Sequence, residues 1–86
     1  MLGGLYVKLL SPAEYVIYAF GGVHAAARAI GRDAGSVCAW KRPRSRKGSD
    51  GRVPGKAQMA ILRVARDMQI DITPEDLVIG RMVDDV

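Results

Sequence analysis

Apolar residues recur through most of this chain at helical spacing, and the breaks between runs fall at glycine or proline. Ser11-Pro12-Ala13-Glu14 reads as a helix start. Ser11 is placed to cap, Pro12 suits the first helical position, and Glu14 stands where a capping box needs it. Ala13, Val16, Ile17 and Phe20 follow at i, i+3, i+4 and i+7 and form one apolar face, which Gly21-Gly22 ends. A second helix, rich in alanine, runs from about Val23 or His24 to Ile30, and Gly31 stops it by taking the left-handed conformation. Asp33 is the N-cap of a short third helix from Ala34 to about Lys41, and Pro43 disfavours continuation past Arg42.

The stretch from Lys41 to Arg52 is a loop by composition. Pro54 opens a fourth helix that reaches roughly Met68, with Ala57, Ile61, Val64, Ala65 and Met68 along one side. Thr73-Pro74-Glu75-Asp76 caps a short last helix carrying Leu77 and Val78, and Gly80 ends it. The pattern predicts an all-α fold, a compact bundle of four to five helices over residues 11–80. Residues 1–10 are expected to be a tail or short extended segment, in which Leu5-Tyr6-Val7 suits a strand, and residues 81–86 a second tail.

With 86 residues the chain holds one domain, too small for a large enzymatic cleft. Its single cysteine, Cys38, excludes an internal disulfide framework, and with His24 the only histidine no zinc set can assemble. No metal or cofactor is expected, and no nucleophile–base pair or glycine-rich phosphate loop points to an enzyme. The apolar opening is too short to span a bilayer, and it lacks a basic leader and a cleavage site. A reducing cytoplasm, of a bacterium or a phage-infected cell, is the expected home.

Charge divides the chain. Residues 28–66 hold eleven basic side chains against two acids, whereas from Asp67 onward six acids face only Arg81. A basic middle with an acidic end implies a polyanion on one face and another role for the other.

Val23–Arg42 meets the demands of a helix pair that inserts one member into the major groove. Ala27 is small enough for the second helix to cross the first, Ile30 is apolar just before the turn, and Gly31 is the turn residue. Val37 and Trp40 share a face of the third helix and anchor it inward. Ala34, Gly35, Cys38 and Ala39 then fall outside the anchor stripe and look toward base edges. The pattern Ala26-Ala27-x-x-Ile30-Gly31 followed by Val37-x-x-Trp40 resembles the helix-turn-helix of the phage Cro and lambda-repressor type. The Val53-Pro54 helix start more loosely resembles the segment that follows it in Cro-like and YdaS-like regulators. The resemblance implies a repressor of phage or prophage origin that binds double-stranded DNA as a homodimer on a palindromic operator.

The chain departs from that family where bases are read. Its outward positions lack the usual Gln, Asn, Ser or Arg, and alanine offers only contact with a thymine methyl. Base reading therefore passes to Arg32, Ser36 and Lys41, or to DNA shape. Arg42, Arg44, Arg46 and Lys47 are placed to hold phosphates or enter a minor groove, with a free solvated loop as the bland alternative. Trp40 reads as a core anchor, His24 as a surface or helix-start residue, and Cys38 as a thiol whose oxidation would block DNA. The acidic end has two readings, a solvated surface around Ile70, Ile72, Leu77 and Val78 or part of a dimer interface. An antitoxin or a phage packaging DNA-recognition subunit is the alternative function on the same fold.

Overall fold

Ser11 begins the first helix through the reciprocal bonds its sequence predicts. Its hydroxyl accepts from the Glu14 amide at 3.2 Å, and the Glu14 carboxylate accepts from the Ser11 amide at 2.9 Å. The computed structural model describes residues 7–84. In chain order they form β1 (Val7–Leu10), α1 (Pro12–Phe20), α2 (Val23–Ile30), α3 (Ala34–Ala39), a 3₁₀ turn (Arg44–Arg46), α4 (Gly55–Asp67), α5 (Asp76–Ile79) and β2 (Arg81–Asp84). No helix among the described residues is long and apolar enough to cross a membrane.

The fold is mostly helical, with five α-helices among the described residues, but it is not all-α. Val7–Leu10 pairs antiparallel with Arg81–Asp84, in the register Leu9 to Met82 and Leu10 to Arg81. Residues 81–84, expected as a tail, are thus a strand. Of the expected strand Leu5-Tyr6-Val7, Val7 lies in β1 and the other two lie outside the described residues. The ribbon joins segments at opposite ends of the sequence, so no local turn chemistry announces it.

The core lies where α1, α2, α3 and α4 meet. Val16, Val37 and Ile61 are its largest fully buried side chains, and Trp40 is 3% exposed. Ala57, Ile61 and Ala65 of α4 are buried, as their spacing predicts, but Met68 is 56% exposed. Met68 follows the last turn of α4, and Gln69 beyond it turns left-handed at φ 58°, so the side chain leaves the stripe. In α5 the Thr73–Asp76 capping box forms, with each backbone amide donating to the other's side chain at 2.8 and 3.2 Å. Leu77 is 4% exposed and belongs to the core, whereas Val78 is 72% exposed.

One cluster fastens α5 and β2 to α1. The Arg81 guanidinium donates from Nε and Nη2 to the two carboxylate oxygens of Asp76, at 2.9 and 2.7 Å, and from Nη1 to Asp71 at 2.7 Å. Its central carbon lies 4.8 Å from the centre of the Tyr15 ring, a cation–π contact. The Tyr15 hydroxyl donates to the backbone carbonyl of Asp71 at 2.7 Å. Asp76 is the one buried charged residue of the described chain, 5% exposed. Burial works to raise its carboxyl pKa, but the bonds from Arg81 and Thr73 outweigh burial and hold it below the ordinary value. The Arg81 bond lowers Asp71 as well, while burial pushes the Tyr15 hydroxyl up. Gly80 lets β2 start here. Its φ is 84°, and a Cβ would overlap the carbonyl oxygen of Leu10.

Removing one partner of a buried pair strands the other charge, so Arg81→Met should lower unfolding stability at pH 7 by about 3 kcal/mol in urea titrations. Both carboxyls titrate lower in the folded chain than in the unfolded one. Their stabilisation is therefore complete above the unfolded carboxylate value of about 4 and is lost as pH falls through the folded values below it. The gap between wild type and Arg81→Met should accordingly narrow between pH 5 and pH 2; a constant gap would refute the ionic assignment.

Candidate nucleic-acid interface

The α2–α3 pair rests on one left-handed residue. Gly31 has φ 70° and ψ 35°, and the Arg32 amide reaches back to the Ala27 carbonyl at 2.9 Å. A Cβ at Gly31 would meet nothing within 4 Å, so conformation and not space demands glycine there. Asp33 starts α3 by accepting from the Ser36 amide at 3.1 Å. Ala27, Val37 and Trp40 are buried, and Ile30 packs half-buried against the same core. Ala27, Val37, Trp40 and Ile30 thus belong to one core cluster, with Gly31 exposed at the turn beside it.

The outward positions divide. Gly35 and Ser36 are exposed, and Cys38, Ala39 and Arg32 are half-buried. Ala34 does not look outward as expected: it is half-buried and packs against the core. It stands three residues before Val37, which turns it toward the same side of the helix. The helix also ends earlier than Lys41. Trp40 closes it, with its carbonyl accepting from the Gly51 amide at 2.7 Å.

The basic loop is folded rather than free. Arg44–Arg46 form a 3₁₀ turn whose carbonyls and amides bond locally, from Arg46 N–H to Pro43 at 2.9 Å and from Lys47 N–H to Arg44 at 3.0 Å. Asp50 ties the loop by accepting from the Arg44 amide at 2.6 Å and donating its own amide to the Arg42 carbonyl at 2.9 Å. The Ala13 amide then donates to the Gly51 carbonyl at 2.8 Å, fixing the far end of the loop to the start of α1. Lys41, Arg42, Arg44, Arg46 and Lys47 all stay exposed on this scaffold. Among the described residues only Arg44 of the five meets a carboxylate, Asp50 at 3.9 Å, and that pair is open to solvent and weak.

The structure therefore brings Gly35, Ser36 and five cations into consecutive exposed segments of one folded stretch. Sequence reasoning counted Arg28, Arg52, Lys56, Arg63 and Arg66 as charge without assigning them to a site. All five are exposed, and Arg63 and Arg66 line a shallow hollow on α4 with Met59 and Leu62. For Lys56, Arg63 and Arg66, the helical spacing on α4 was the available signal. No family model, curated protein or solved structure matches this chain.

Asp50 holds the loop by a bond to a backbone amide. Asp50→Ala should therefore speed hydrogen exchange at the Arg44 amide about tenfold while leaving α1 and α2 amides unchanged. Equal acceleration throughout would instead mark Asp50 as a contributor to global stability.

Proposed function

We propose that this protein is a sequence-specific regulator of transcription that binds double-stranded DNA, a Cro-like repressor occupying a palindromic operator as a homodimer. The observation that carries the reading is the union of two features. Buried Ala27, Val37 and Trp40 belong to one core on either side of left-handed Gly31, and an ordered loop of cations follows at once. The first leaves one side of α3 open beside its supporting helix. The second supplies the charge that a phosphate backbone requires.

In this reading α3 lies in the major groove. Gly35 allows close approach of the backbone, Ser36 offers a hydroxyl that donates and accepts, and Ala39 and Cys38 give small apolar contacts toward thymine methyls. Arg32 and Lys41 flank the helix and reach base edges or phosphates. Arg42, Arg44, Arg46 and Lys47 hold phosphates from the loop. Because the loop is already folded, little conformational entropy is lost when it docks. Few base-pairing side chains stand on α3, so DNA shape carries part of the specificity. No chemistry is needed; the protein acts by occupying its site in the cytoplasm of a bacterium or phage-infected cell.

Selection of bound sequences from a random duplex library, run at two salt concentrations, tests the reading. A two-fold symmetric sequence should emerge at both, and uniform retention of all sequences would sink the proposal. Arg46→Ala and Lys47→Ala should weaken binding to every sequence. Each should flatten the slope of log affinity against log salt by about 0.9. Ser36→Ala should change base preference at one position of each half-site and leave the slope alone.

A further inference from the structure

The fourth helix carries two seams. Ala57, Ile61 and Ala65 are buried and turn toward the core, where α4 packs on α2. Met59, Leu62, Arg63 and Arg66 line the shallow hollow on its outer surface. These four stand at i, i+3, i+4 and i+7, the spacing by which one helix lies along another. Met59 is 67% exposed and Leu62 is partly buried, so the floor of the hollow is apolar and open. Arg63 and Arg66 border it one turn apart, about 5–6 Å between Cβ atoms. Lys56, also exposed, extends the row one turn toward the start of the helix. Among the described residues none of these three cations makes an ion pair. Asp67, the one acid of α4, is exposed and stands outside the lining of the hollow.

We propose that this outer seam is a docking site for an acidic amphipathic helix of another protein. An apolar side chain of that helix enters the hollow between Met59 and Leu62, and carboxylates on either side of it meet the Arg63 and Arg66 guanidiniums, which grip such groups in pairs of parallel bonds. Lys56 meets a further carboxylate as a point charge. The occupant is a helix because the lining repeats at helical spacing over two turns. The hollow holds about 240 Å³, below the roughly 300–1,000 Å³ of a small-molecule pocket, so it suits one inserted side chain rather than a whole ligand. Methionine, unbranched and adaptable, suits such a contact surface. The three cations alone would also suit a duplex. Phosphates ask for cations and amide donors, however, and an apolar floor between the cations adds nothing to that contact. The seam lies on the side of α4 opposite its buried row, and so faces away from α2, the helix on which α3 rests.

The site stands apart from the DNA-binding reading and is measured without an operator. The probe is a synthetic helical peptide of about 18 residues, with leucines along one face and glutamates beside them. It is titrated to about 1 mM into the full chain carrying isotopic label at its methionine methyls. The Met59 signal should move. Arg63→Gln with Arg66→Gln should weaken binding about tenfold, whereas Arg28→Gln with Arg52→Gln, exposed cations elsewhere, should leave it unchanged. Serine in place of the peptide's leucines should also weaken binding about tenfold, which attraction between charges alone would not produce. The titration of the native chain needs no variant and decides the matter should a variant unfold. An unmoved Met59 signal overturns the proposal, as does a folded Arg63→Gln, Arg66→Gln chain that binds as tightly as wild type, or a serine peptide that binds as well as the leucine one. A mixed-sequence duplex that moves Met59 where the peptide does not assigns the seam to nucleic acid and overturns it too. A failed operator selection leaves the seam standing, and a failed peptide titration leaves the operator reading standing.

Discussion

A single guanidinium joins the parts of this molecule that no neighbouring residues connect. Arg81 gathers Asp76, Asp71 and the face of Tyr15, and through them it holds β2, α5 and the segment before it against α1. Such an arrangement stabilises only when every polar group in it is satisfied. Here it is: Asp76 also takes the Thr73 amide, Tyr15 donates to the Asp71 carbonyl, and no buried side-chain polar atom among the described residues lacks a partner. With α1 fixed on this side, its other contacts support α2, and α2 in turn supports α3 and α4.

The clamp also shapes the electrostatics of the far end of the chain. Two of the acids that follow Asp67 are spent on Arg81, while the loop after α3 keeps only Asp50 for its own closure. Among the described residues the cations around α3 make no ion pair apart from that one weak contact. The separation of charge seen along the sequence becomes a separation of tasks, in which Asp71 and Asp76 tie the fold through Arg81 and the bases that follow α3 face outward.

What was legible in the sequence was what depends on near neighbours. The Ser11 and Thr73 capping boxes, the Asp33 cap and the Gly31 turn are each written within four residues, and all form. The anchors Val37 and Trp40 follow from helical spacing alone. Ala34 was misplaced because alanine has no strong preference for either side, so only the phase set by Val37 could place it. The ribbon, the clamp and the Ala13–Gly51 bond escaped because their partners are far apart in sequence. Arg81 was read as one cation among acids, and nothing local distinguishes the two acids it binds. The loop was legible as a loop but not as a folded one, since the bonds that shape it come from backbone groups that composition does not reveal.

The ribbon has a consequence for the order in which the chain assembles. Pairing Leu10 with Arg81 closes a loop of about 70 residues, which by chain statistics alone costs about 4 kcal/mol of entropy. The helices need only short-range contacts and form without meeting that cost. Closure becomes favourable once α1 and α5 have already brought the two strand segments near each other. The ribbon is thus the last part of the described fold to zip, and its two strands open together as one unit while the helices around Gly31 keep their shape.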